Sequence, residues 1–186
     1  MSALLDACVL YSSTLRDLMM RLALEGVSEI RWTELIQAEW TRNVLLNRPD
    51  LTMRQLGRVC DLMNLHAGQA LVHGFEPLIE TLELPDLEDR HVLAAAIHAR
   101  ATVIVTFNLK DFPKAVLAGY GMRAIHPDEF VVDAINRDLE GVLRALSKQR
   151  AQLKNPPLTA QDFLGQLEGA GLLQTTRLLQ IHLEQI

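Results

Sequence analysis

The sequence contains no run approaching 18 uninterrupted apolar residues, roughly the length at which a hydrophobic segment reads as a membrane span. Its opening, MSALLDACVLY, lacks the basic n-region of a signal peptide. Both absences lead to the expectation of a soluble, cytoplasmic protein with no membrane partner. Cysteine is scarce: Cys8 and Cys60 lie far apart and match no ligand spacing such as CxxC, which argues against a disulfide framework or a zinc site and suggests two buried thiols. His66, His73, His91, His98, His126 and His182 form no HxxxH or similar ligand pair, so no histidine catalysis is expected. An excess of positive charge is missing as well. The formal net charge of -5 speaks against a surface that grips a phosphate backbone over its whole extent, because such affinity comes from Lys and Arg neutralising phosphates. Any nucleic-acid site must be local. No internal repeat or low-complexity tract is present.

What is there is enough for one substantial core and a small appendage, since 49% of the 186 residues are hydrophobic. Ala3-Leu4-Leu5 predicts a short buried strand that ends at Asp6. From Ser12 to Glu25, Leu15, Leu18, Met19 and Leu22 recur at helical spacing, with Gly26 as a stop. Ser28 to Trp32 reads as a second strand, and Thr33 caps a helix that runs toward Pro49. Thr52 to Gln55 is a capping box opening another helix, and Ala70 to Val72 reads as a further strand. An alanine-rich helix is expected from about Leu87 to Ala99, followed by the β-branched strand Thr102 to Thr106. A short helix near Lys114 to Ala118, a strand near Met122 to Ile125 and a helix from Pro127 or Asp128 complete the alternation. The fold class expected is α/β, a three-layer sandwich with a mainly parallel central sheet. Beyond about Asp133 only helices are signalled, with a break at Asn155-Pro156-Pro157 and a cap at Thr159. The expected division is an α/β domain over residues 1–132 and a helical C-terminal extension over 133–186.

In an open parallel sheet the loops leaving the carboxyl ends of neighbouring strands converge on one crevice. Asp6 and Asp111 follow strands, while Asp89, in the first turn of a helix, and Glu39, within one, reach the same region if those helices pack beside it. Clustered carboxylates raise one another's pKa unless a cation neutralises them. All-oxygen ligation favours hard ions such as Mg²⁺ or Mn²⁺, which accept substrate phosphate oxygens as further ligands. That is machinery for phosphodiester hydrolysis.

Four segments carry a resemblance: LLDACVL with Asp6, LIQAEWTRNVL with Glu39, LPDLEDRHVLAAAIHARA with Asp89, and VIVTFNLKDFP with Asn108 and Asp111. In order and content they resemble the successive motifs of PIN-domain proteins over roughly residues 1–130, most specifically from Asp86 to Pro113. The resemblance implies an endoribonuclease in which Asp6, Glu39, Asp89 and Asp111 hold Mg²⁺ or Mn²⁺ and hydrolyse RNA. It further implies a VapC-type toxin, a homodimer held inactive by a cognate antitoxin protein. Glu34 competes with Glu39, but five helical residues separate them by about 140°, so only one faces the pocket, and Glu39 is preferred. Asp86 and Asp89 both sit at a helix start, where an acid can serve the helix dipole; Asp89 is assigned to the metal and Asp86 to capping or support. Asn108 is either a turn former or a group that orients a neighbouring carboxylate, and Thr106 is a supporting candidate at the same strand exit. Arg42 and Lys110 are candidates for holding RNA phosphates, against the plain reading of solvated surface charges.

Rival readings are weaker. Asp6, Thr106 and Lys110 superficially resemble a receiver domain, but the candidate strands around Trp32 and Val72 end in Thr33 and His73-Gly74, with no phosphoacceptor aspartate. A haloacid-dehalogenase-like phosphatase needs a second Asp two residues after the first, where this chain has Cys8. The alternative from another class is a noncatalytic PIN module that binds RNA or a protein partner without cutting.

Overall fold

The computed structural model describes residues 1–186. Four short strands form one parallel sheet: β1 (Ser2–Leu5), β2 (Glu29–Arg31), β3 (Val103–Val105) and β4 (Arg123–Ile125), in the order β2-β1-β3-β4. The Ala70 to Val72 segment expected as a strand makes only an isolated parallel bridge, Trp32 to Leu71. In register, Leu5 stands opposite Val105 and Val105 opposite Ile125, so Asp6 and Thr106 leave the sheet side by side. The connection from β1 goes to one side of the sheet and the later strands go to the other, which makes the exits of β1 and β3 the topological switch point. Ligand crevices of open α/β sheets form at such points.

Eleven α-helices surround the sheet. α1 (Ala7–Tyr11), a helical turn absent from the sequence reading, starts directly from Asp6, whose carboxylate accepts from the Ala7 N–H. α2 (Ser13–Leu24) follows with Ser12 as its cap, and α3 (Glu34–Asn47) is capped by Thr33. α4 (Met53–His66) carries the full Thr52/Gln55 capping box. α5 (Glu76–Ile79) and α6 (Arg90–His98) precede β3, and α7 (Lys114–Ala118) precedes β4. α8 (Pro127–Arg137), α9 (Leu139–Gln152), α10 (Ala160–Gly169) and α11 (Leu173–Leu179) close the chain, followed by a 3₁₀ segment over Gln180–Gln185. α2 meets β2, α9 and α10, whereas α6 packs against β1 and β3; right-handed crossovers in this strand order require the two helices to lie on opposite faces of the sheet. No helix is long and apolar enough to cross a membrane.

The core is one continuous cluster of buried apolar residues in which Leu4, Val105 and Trp40 are joined by Leu146, Phe163 and Leu172 from the last helices. The extension is thus packed into the same interior as the sheet, and α8 runs unbroken through residues 132 and 133.

Candidate active site

The sequence decides the floor of the crevice first. Asp6 ends a run of fully buried residues and is itself only 4% exposed, so its carboxylate must find partners inside the protein. Three groups serve it. The Thr106 hydroxyl donates to Asp6 Oδ2 at 2.6 Å, the Cys8 thiol donates to the same oxygen at 3.1 Å, and the Ala7 N–H donates to Oδ1 at 2.6 Å. Thr106 in turn accepts from the Asn108 N–H at 2.9 Å, and the Phe107 N–H points at Cys8 Sγ at 3.3 Å. The exits of β1 and β3 are thereby stitched together through side chains. Cys8 is half-buried rather than buried, and so is Cys60; both are free thiols. Burial and the neighbouring Asp6 charge push the Cys8 thiol up to about 12, so it stays protonated and acts as a donor.

Above this floor lies an open cavity of about 450 Å³ lined by Leu35, Ala38, Glu39 and Arg42 from α3, Asp86, Glu88, Asp89 and His91 around the start of α6, and Asn108 and Asp111 from the loop after β3. A second cavity, of about 470 Å³, is lined by the apolar side chains Met20, Leu24, Val59, Leu62 and Met63 of α2 and α4, and its one acid, Asp17, is paired with Arg21. Glu39, Asp86, Asp89 and Asp111 thus gather around the smaller, acid-lined space. α6 begins at Arg90, later than the Leu87 expected, because Asp86 to Asp89 forms turns first. Asp86 spends its carboxylate there, accepting from the Glu88 N–H at 2.9 Å. Asp89 occupies the cap position of α6 yet makes no capping bond, which leaves its carboxylate free toward the cavity.

The electrostatics follow from this arrangement. Asp89 is raised from 3.8 to about 7, first by burial and then by the negative charges of Asp6, Asp86, Asp111 and Glu39. Asp89 thus stands within reach of the charges of the other acids picked out in the sequence. No group of three or more His, Cys, Asp or Glu side chains stands at metal-ligating spacing. Glu39, Asp89 and Asp111 line the cavity, whereas Asp6 does not: it lies buried at the sheet edge. Glu34 is exposed and lines none of it, as the helical angle requires. Arg42 reaches the cavity wall; Lys110 is exposed and does not line it.

The sequence reading gave His91 and Cys8 no place in the site. His91 Nε2 lies 3.6 Å from Glu39 Oε2, too long for a hydrogen bond, and its Nδ1 is buried without a partner. Its position two residues after Asp89, on the first turn of a helix that faces the pocket, was the available signal. For Cys8 it was the helical turn begun by Asp6, which folds the thiol back onto that carboxylate.

Residues 2–110 match the PIN domain model, which is more than half of the chain. The chain belongs to the PIN-domain family. Residues 127–180 match a second model, the VapC50 C-terminal domain, so the extension has a counterpart of its own. The chain is also 38% identical over 98 residues to the protein named "Putative ribonuclease VapC50" from Mycobacterium tuberculosis (strain ATCC 25618 / H37Rv). That similarity covers 53% of this chain and 57% of the relative's length. Asp111 lies one residue beyond the matched PIN span, so its place in the site rests on the cavity geometry.

Proposed function

We propose that this PIN-domain protein is a Mg²⁺- or Mn²⁺-dependent endoribonuclease and the toxin half of a toxin–antitoxin pair. The observation that carries the reading is the convergence of Glu39, Asp86, Asp89 and Asp111 on one cavity at the switch point of the sheet, with Asp6 buried at the strand exit and the Asp89 carboxyl raised by burial and its acidic neighbours. Such crowding is unfavourable without a cation, and a donor set made only of carboxylate oxygens fits a hard divalent ion. The resemblance to a VapC50 ribonuclease supports the same chemistry.

Asp6, Glu39, Asp89 and Asp111 would hold the metal, the last three from the cavity wall and Asp6 from its buried place at the strand exit. A bound Mg²⁺ or Mn²⁺ supplies Lewis acidity that draws charge from the phosphate oxygens and eases deprotonation of the attacking water. The chain's own residues do the rest. Thr106 and Cys8 fix the rotamer of Asp6 by donating to Oδ2. Asn108, at the cavity wall, braces the loop that carries Asp111 through its backbone bonds to Thr106 and Asp111. Asp86 supports Asp89 indirectly by holding the turn before α6. Arg42 stands where it can pair with a phosphate entering the cavity, and Lys110 contributes at most from outside it.

The test is cleavage of structured RNA by purified, partner-free protein. Mn²⁺ or Mg²⁺ should support cutting that leaves 5′-phosphate and 3′-hydroxyl ends, and Asp6→Asn and Asp89→Asn should each abolish it. Cleavage by both variants at the wild-type rate overturns the assignment. RNA binding without any cutting would favour the noncatalytic module instead. The antitoxin, whose Arg would pair with the pocket carboxylates, is tested by co-expression with the neighbouring reading frame; absence of both association and growth rescue removes it. A homodimer in a cytoplasmic setting completes the proposal, and sedimentation of the purified chain checks its mass.

A further inference from the structure

The C-terminal helices touch the candidate active site through one aromatic residue. Phe107 lies between Thr106, which donates to Asp6, and Asn108, which lines the acidic cavity. The Phe107 ring packs edge-on against His126 with centroids 4.8 Å apart. Its other neighbour is Gly171, where the turn between α10 and α11 passes so close that a Cβ would sit 3.2 Å from Phe107 Cε1. Gly171 has φ +98, a conformation that favours glycine, so the residue type serves both the turn and the approach.

This contact is held from behind. Asp128, on the first turn of α8, is only 5% exposed, and its two carboxylate oxygens accept from the Gln174 and Thr175 N–H groups at 2.7 and 2.9 Å. Those amides are unpaired donors at the start of α11, whose cap residue Leu172 offers no side-chain bond. A buried carboxylate between them fixes where α11 begins, and therefore where Gly171 stands. A chain of packed and hydrogen-bonded groups thus runs from Asp128 through the start of α11, Gly171, Phe107 and Thr106 to Asp6.

We infer that the C-terminal extension serves to clamp the loop after β3, with Phe107 as the positioning residue that holds Asn108 and Asp111 at the cavity wall. A plain cover for the core would need apolar burial only. Here, in addition, the Asp128 bonds fix the start of α11 and the close approach at Gly171 brings that turn onto the loop. The consequence is that undocking α11 loosens the acidic pocket without touching any acid in it.

The experiment uses the full chain in four forms: wild type, Phe107→Leu, Asp128→Asn and the double variant. Amide hydrogen exchange of residues 107–112, without metal, is the first readout. Exchange there should rise about tenfold in both variants, with β1 and α6 unchanged. Mn²⁺ affinity by calorimetry is the second and should fall about tenfold in both; the double variant should fall no further, because both act through one contact. The affinity readout rests on the proposed metal site, while the exchange readout does not. If wild-type protein binds no Mn²⁺ but the loop loosens as described, the metal reading fails and the clamp stands. If melting temperature drops while loop exchange and Mn²⁺ affinity stay at wild-type values, the extension is only a cover and the inference is overturned. If Asp128→Asn, at a buried position, loses the fold outright, Phe107→Leu, at a residue 36% exposed, decides alone.

Discussion

Thr106 Oγ1 donates to Asp6 Oδ2 across 2.6 Å, joining the exits of the two strands at the switch point of the sheet. The same hydroxyl oxygen accepts from the Asn108 N–H, so one small side chain orients an acid and shapes the loop that carries another. Thr106→Val keeps the volume and removes both bonds. Groups that orient ligands typically contribute 10- to 100-fold in affinity or activity. Mn²⁺ affinity and RNA cleavage should fall by about that much in Thr106→Val and recover in Thr106→Ser, as read by calorimetry and initial rates.

Asp89 sets the expected pH dependence. Its carboxyl is raised from 3.8 to about 7, so the folded protein favours the protonated form. The stability this lends the metal-free protein is fully present below about pH 4 and is lost as pH rises through 7. A divalent ion competes with that proton. Mn²⁺ affinity should therefore climb steeply up to about pH 7 and level off above it, and Mn²⁺ should raise the melting temperature more at pH 8 than at pH 5. Asp89→Asn should flatten both profiles. Calorimetry and thermal melts across that range check the sign.

Arg42 and Lys110 separate by geometry what sequence could not. Arg42→Ala should raise KM severalfold with kcat little changed, and lower the salt slope of RNA binding by about one. Lys110→Ala should do less, since its side chain lies off the cavity. Filter binding against salt measures both.

Much of this fold was legible because its strands are short apolar runs between capped helices: Thr33, Thr52 and Thr159 each cap the helix expected of them. The packing of the C-terminal helices was harder to see, because apolar periodicity shows that a helix has a buried face but not which core receives it. Phe163 shows the point, fully buried in the same cluster as Leu4. The acids were legible by motif, yet the burial of Asp6 beneath the cavity, the thiol of Cys8 and the ring of His91 depend on how helices begin and which way their first turns face. Spacing alone does not carry that information.

A single core has a measurable consequence. Phe163→Ala should cost about 3–5 kcal/mol and lower the one cooperative transition of the whole chain. Two separate transitions in calorimetry would mean that the extension unfolds by itself.

The most direct measurement is anomalous scattering from crystals soaked in Mn²⁺. One peak within roughly 2.0–2.2 Å of carboxylate oxygens from Asp6, Asp89 or Asp111 is the expected result. Mn²⁺ held elsewhere on the molecule, with those acids left without a cation at saturating metal, would contradict the account.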